Sequence, residues 1–192
     1  MKKSLLALAL IAALPASALA DDWMMRVRAI DIVPDVKSSS LPGVDVSDEW
    51  VPEVDFTYFV TPNIGVELIL ATSRHEVTLV GAGSLGKLNV LPPTVTVQYH
   101  FNPTSTIKPY VGAGLNYTRF YNVDLPGFKV DSNSFGGALQ AGVDIAVTKN
   151  GYINLDVKKI WIDTTVKTTA GATVTDLDIN PVVWGIGYGF RF

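Results

Sequence analysis

The 192-residue chain has no cysteine. Disulfides and cysteine-ligated metals are therefore excluded. Histidine is scarce as well, with only His75 and His100. Basic residues do not dominate: 15 Lys and Arg stand against 18 Asp and Glu. The chain thus lacks the basic footprint of a nucleic-acid binder, and no nucleic-acid partner is expected. No apolar run is long enough to cross a bilayer as a helix. The Gly-x-Ser-x-Gly, P-loop and His-Glu-x-x-His patterns are missing too. Gly81-Ala82-Gly83 is read as a flexible loop rather than a phosphate cradle, because no helix follows it.

What is present starts with export. Lys2 and Lys3 precede a short apolar stretch, Leu5 to Leu14, and Ala18-Leu19-Ala20 forms a small-x-small cleavage site. Residues 1–20 are read as a secretory signal, with the mature domain over 21–192 beginning at Asp21. Removing the signal leaves 13 basic residues against 18 acidic ones, a formal charge of −5. The mean hydropathy is nevertheless positive.

The dominant pattern is period two. Val182, Trp184, Ile186, Tyr188, Phe190 and Phe192 alternate with Val183, Gly185, Gly187, Gly189 and Arg191. Such spacing means a strand with two unlike faces. Here one face is aromatic and the other small, as in a strand with lipid outside and a filled lumen inside. Eight strands of this kind are expected. They run over about 23–33, 50–60, 65–74, 88–101, 109–121, 134–148 and 152–161, followed by the terminal strand. The turns near Pro62, Pro103 and Asn150 are short, and Asn150-Gly151 is a hairpin signal. The connections 34–49, 75–87, 122–133 and 164–175 are longer and polar or glycine-rich. Short turns at one end and long loops at the other fit an all-β fold, an eight-stranded antiparallel transmembrane β-barrel in a bacterial outer membrane. An even strand count would leave both termini in the periplasm.

A soluble eight-stranded barrel with a greasy lumen also satisfies simple alternation. The size of the apolar face favours lipid. So do Trp50, Tyr99, Tyr117, Trp161 and Tyr188 near strand ends, and the terminal Phe192. Tyr188, Phe190 and Phe192 resemble the assembly signal of outer-membrane barrels, which implies two partners, the barrel-assembly machinery and outer-membrane lipid.

Strand direction assigns depth to each inward side chain. Arg26, Glu67, Gln98, His100, Asp144, Asn154, Asp156 and Arg191 belong near the periplasmic end, as a polar floor. Ile30, Ile32, Ile69, Ala71, Ile160, Pro181 and Val183 belong nearer the outside, as an apolar upper lumen. Inward glycines at 112, 114, 185, 187 and 189 are expected to leave extra room. A paired charged cluster can be no more than a satisfied core, because buried charges must be paired. It can also be the floor of an apolar pocket open to the outside, through which small hydrophobic solutes enter and then leave sideways. Pro92 and Pro93 remove two ladder donors near the top of the fourth strand and mark a candidate lateral opening. They can equally mark an ordinary strand start.

Three segments together resemble the OmpW family of small outer-membrane barrels. They are Leu91-Pro92-Pro93-Thr94-Val95-Thr96-Val97-Gln98-Tyr99-His100-Phe101, then Pro109-Tyr110-Val111-Gly112-Ala113-Gly114-Leu115-Asn116-Tyr117-Thr118, and Gly187-Tyr188-Gly189-Phe190-Arg191-Phe192. Asp163-Thr164-Thr165 after Trp161 also fits. The resemblance implies a narrow hydrophobic channel for small apolar molecules, and one family member is a bacteriocin receptor. The family usually carries an Ala-Thr-Pro-Phe-like segment after the third strand. This chain instead reads Ala71-Thr72-Ser73-Arg74-His75.

No catalytic, cofactor or metal site is expected, and the chain is not read as an enzyme. Nucleophilic catalysis needs a base within reach of its nucleophile. His75 and His100 fall at opposite ends of the barrel. Ser73 and His75 are two apart and can face the same way, but Glu76 is the sole acid nearby, and a solvated loop histidine is expected. The rival function is a structural or receptor barrel whose loops bind a partner. If Phe192 is part of an assembly signal, its deletion will sharply lower the amount of folded barrel in the outer membrane. The measurement is the heat-modifiable gel mobility of membrane fractions.

Overall fold

The computed structural model describes residues 22–192. The expected signal and its cleavage site at Asp21 lie outside the described residues. Fifteen strands are formed: β1 Trp23–Val33, β2 Lys37–Ser38, β3 Val44–Val46, β4 Glu49–Thr61, β5 Ile64–Ala71, β6 Ser73–Leu79, β7 Gly83–Leu91, β8 Thr94–His100, β9 Ile107–Asp124, β10 Phe128–Val130, β11 Asn133–Ala146, β12 Gly151–Ile160, β13 Asp163–Thr168, β14 Thr173–Asp178 and β15 Val182–Arg191. Eight staves close on themselves, each antiparallel to its neighbours. Around the wall they are β1, β4, β5 with β6, β8 with β7, β9, β11, β12 and β15. The seam between β15 and β1 pairs Arg191 with Met24 and Val182 with Val33. Phe192 and Trp23 finish it with reciprocal backbone hydrogen bonds of 2.8 and 3.1 Å. Closure leaves the barrel without an edge, which a sheet in hydrocarbon requires.

Side-chain alternation places the two faces. On β8, Thr94, Thr96, Gln98 and His100 are buried while Val95, Val97 and Tyr99 are exposed. Outward residues such as Leu68, Leu70, Leu115, Leu139, Leu155 and Ile186 form an exposed apolar band. Aromatic rings flank the band at two levels. Trp23, Tyr58, Tyr99 and Phe190 lie near the end that carries Trp23 and Phe192. Trp50, Tyr117, Phe135, Trp161 and Trp184 lie toward the far end. Tyr58 and Trp50 are eight residues apart on β4, about 26 Å along the strand, a spacing suited to a bilayer-facing girdle pair.

Three features differ from the sequence reading. The long connections are largely strand rather than loop. β5 and β6, with β7 and β8, continue as a hairpin beyond the band, and β10, β13, β14 and β2 form a second, four-stranded sheet. The reason is packing: Val46, Val77 and Leu125 in these segments bury into the upper core, and Leu177 lines the cavity beside them. Glycine supplies the reversals, with Gly43, Gly81, Gly127 and Gly171 at φ of 85–94°. The Asn150-Gly151 hairpin forms, but neither residue has the positive φ of a two-residue primed turn. The turn is wider, with Val147 N–H and Thr148 N–H on the Gly151 carbonyl, and Gly151 N–H on Thr148 Oγ1.

The inward glycines do not leave free room, which corrects the third expectation. A Cβ at Gly114 would run into the Val95 carbonyl, and one at Gly187 into the Val27 carbonyl. At Gly185 and Gly189 the space is taken by the stems of Arg28 and Arg26. These glycines allow close strand approach and house two arginines. Gly187→Ala is therefore expected to destabilise the refolded barrel by about 1–3 kcal/mol. The check is the urea midpoint, followed by gel mobility.

Candidate functional site

The lumen has two chemically distinct parts. The lower part is a buried ion network, built around two arginines two apart on β1. Arg26 donates to both oxygens of Asp144 at 3.1 and 2.8 Å, and to Asp55 Oδ1 at 3.0 Å and Thr57 Oγ1 at 2.9 Å. Arg28 Nε donates to Glu53 at 2.7 Å, Nη1 to Asn154 at 3.1 Å, and Nη2 to Glu67 at 3.3 Å. Its Nη2 also lies 2.6 Å from Asp55 Oδ2, as an ion pair rather than an aligned hydrogen bond. Lys158 joins Glu53 at 2.9 Å to Asp156 at 2.6 Å. All three cations are almost completely buried. Burial on this scale is tolerable only because each charge meets several partners.

A ring of neutral polar groups completes this layer. Tyr110 donates to Asp156 Oδ2 at 2.7 Å, and Gln140 donates to the same oxygen at 2.9 Å. Gln98 and Thr96 both donate to Glu67 Oε2. The Gln98 amide nitrogen is committed to Glu67 and Gln140, so its oxygen accepts from His100 Nε2 at 2.9 Å. The His100 ring stacks on Tyr110 at 4.9 Å. Of the proposed floor residues, Arg26, Glu67, Gln98, His100, Asp144, Asn154 and Asp156 are thus brought together. Arg191 is not. Its guanidinium lies over Phe59 at 4.1 Å, at the rim near the chain ends.

Several members lie outside the floor expected from sequence, although their strands' polar faces include them. Arg28, Glu53, Asp55 and Lys158 share the inward parity of their strands, and that parity was the available signal. Tyr110 was missed because its neighbours on the same face, Gly112 and Gly114, suggested empty space. Its ring instead fills the space beside Gly142, where a Cβ would collide with it.

Above the network the lumen turns apolar. Ile30, Ile32, Ile69, Ala71, Ile160, Pro181 and Val183 all line one cavity. Its volume is about 50 Å³, measured as space open to the centre of a water molecule. One water needs roughly 10–15 Å³ on that measure, so the cavity holds a short string of small atoms. A second apolar cavity of about 80 Å³ lies among the upper strands, lined by residues such as Leu41, Leu79, Phe128 and Val166. The two share Val46, Leu88 and Ile179 as walls, so one stands on the other.

Pro92 also lines the lower cavity, whereas Pro93 does not. The β5–β8 ladder stops at Ile69 with Thr94, and the β6–β7 ladder resumes at Ser73 with Val90. Residues 70–72 and 91–93 make no rungs with each other, although Leu70 and Ala71 still pair with β4 and Leu91 with β9. Asn116 Nδ2 covers the Pro92 carbonyl at 3.2 Å. On the outer face, Thr72 Oγ1 and Tyr121 Oη share a hydrogen bond of 2.7 Å.

The expected solvated histidine is overturned. His75 is buried and lines the same cavity. Inward parity continues from β5 through Ala71, Ser73 and His75 into β6, because this segment is strand and not loop. Its ring lies 2.8 Å from Ser73 Oγ and 2.7 Å from the Ser47 carbonyl. Glu76 is not its partner: that carboxylate accepts from Ser84.

The family model for the OmpW family matches residues 20–192. The chain belongs to the OmpW family. An uncharacterized outer-membrane protein of Sinorhizobium fredii, y4mB, is 41% identical over 183 residues, covering 88% of this chain and 80% of the relative. Outer membrane protein W of Salmonella typhi is 34% identical, with both chains fully covered. The crystal structure of the outer membrane protein OprG from Pseudomonas aeruginosa superposes with a TM-score of 0.81 at 31% identity, covering 90% of this chain and 96% of that one. The protein is an outer-membrane β-barrel, and its apolar band is the lipid-facing surface.

Removing one partner of a buried ion cluster leaves charges unpaired. Arg26→Met is expected to destabilise the barrel by about 3–5 kcal/mol, because Asp144 loses its main cation and Asp55 one of its two. The check is a denaturant titration of the refolded protein in lipid.

Proposed function

We propose that this barrel is a passive, non-enzymatic channel for small apolar molecules. They enter from the side of the upper strands and exit laterally into the membrane. The observation that carries the reading is the stacking of two apolar cavities on a floor of paired ions. An apolar solute gains by entering such a lumen, since burial of apolar surface is worth about 25 cal/mol per Å². It gains nothing by displacing the ion partners of Arg26 and Arg28, and so has no favourable path downward. The gap between residues 70–72 and 91–93, where the two staves share no rungs, borders the lower cavity through Pro92 and is the candidate way out. The hydrogen bond from Thr72 to Tyr121 would latch its outer face. In this arrangement the chain ends face the periplasm, and Tyr188, Phe190 and Phe192 serve the assembly machinery during insertion.

The test is the uptake rate of a labelled small hydrocarbon by intact cells. Cells lacking the protein should take it up more slowly than cells that carry it. Ala71→Trp, which fills the lower cavity, should lower the rate to that of cells lacking the protein. Pro92→Val with Pro93→Val, which restores two ladder donors, should lower it too. An unchanged rate on deletion of the gene would overturn the channel. Function would then rest with the four-stranded sheet beyond the band, as a receptor surface.

A further inference from the structure

The lower cavity is apolar on nearly every side, yet four of its lining residues are polar: Glu53, Ser73, His75 and Thr94. Thr94 is engaged twice: it donates to the Pro92 carbonyl and accepts from Asn116. Glu53 is an acceptor as well, but its Oε1 holds Arg28 and Lys158, so its charge belongs to the ion network below. The remaining pair is Ser73 and His75.

The direction of their hydrogen bond follows from the third partner. The Ser47 carbonyl can only accept, so His75 Nδ1 carries the proton in the 2.7 Å contact. In the neutral imidazole, Nε2 is then an acceptor. Ser73 must donate its hydroxyl proton to it across 2.8 Å. That spends the one donor of Ser73 and leaves Oγ with acceptor capacity at the cavity that Ser73 lines. Ser73 has no other partner among the described residues. The orienting group is a neutral carbonyl and not the carboxylate of a catalytic triad. Its chemistry is recognition.

We infer that Ser73, held by His75 and Ser47, is a hydrogen-bond acceptor site that selects solutes pairing an apolar body with a hydroxyl donor. This rests on the channel reading above and names its substrate class: alcohols and phenols in preference to pure hydrocarbons or ethers. An ether brings only an acceptor, and it meets Ser73 lone pair against lone pair. A buried acceptor discriminates against an analogue that cannot donate to it, because that group is left unpaired.

Two isomers of equal size separate the possibilities. 1-Pentanol and methyl butyl ether would be titrated at pH 8 into the refolded barrel in lipid nanodiscs, with binding followed by methyl NMR shifts of Ile30, Ile69 and Val183. The expected result is a preference of roughly five-fold for the alcohol, the size of one net hydrogen bond. Ser73→Ala should reduce the preference below two-fold without weakening ether binding. Ser73→Thr, which keeps the hydroxyl, should retain it. Equal affinity of wild type for both isomers overturns the acceptor site but leaves the channel standing. A preference that survives Ser73→Ala moves the hydroxyl to Glu53 and overturns the assignment to Ser73. Failure of both compounds to shift the cavity methyls overturns both readings.

Discussion

A backbone in hydrocarbon has no water to fall back on, and every N–H and C=O must find its partner within the protein. The architecture follows from that demand. It closes eight staves into a cylinder and joins Trp23 to Phe192 across the seam. Glycines stand where neighbouring strands come close, as at Gly114 and Gly187. Proline is the residue that cannot comply, and two of them sit together in the wall. Asn116 and Thr94 gather around the carbonyls left there. The polar compensation is local and comes from side chains that a longer ladder would not need.

The same demand shapes the inside. A narrow eight-stranded barrel is filled by its own side chains. Below, those side chains are charged and lock strands together across the lumen: Arg26 of β1 reaches Asp144 of β11, and Lys158 of β12 reaches Glu53 of β4. Above, they are aliphatic and meet without directional bonds. Cross-braces of ions resist both solvent and deformation. A layer of isoleucine and valine yields to whatever apolar shape is offered. Within one continuous sheet the protein therefore has a stiff half and a compliant half.

Much of this was legible in the chain. Period-two alternation is a local property, so strand positions, the facing of each residue and the depth of Ile30 or Glu67 follow from counting. What counting could not supply was pairing beyond the membrane band. The segments after Arg74 and Thr164 are rich in polar residues and glycine, and they read as loops. Yet Val77, Leu125 and Leu177 bury together once the strands meet, and that contact is non-local. His75 was misread for the same reason: its burial depends on β6 being a strand and on Ser47, twenty-eight residues away. Tyr110 was hidden by the glycines beside it, because a large side chain and the hole that receives it lie on different strands.

The hairpin of the third and fourth staves has one further property. Below the break Ile69 pairs with Thr94, and above it Ser73 pairs with Val90. Both pairs belong to one register, as if the missing rungs had been erased from an otherwise continuous ladder. A fault of this kind resembles a slit in woven cloth more than a torn edge. Its lips can part and meet again without any strand sliding, since the intact rungs on either side dictate where each residue returns. A one-residue slip would turn the apolar face inward and the charges toward lipid. The wall is weakest where it is also least able to lose its place.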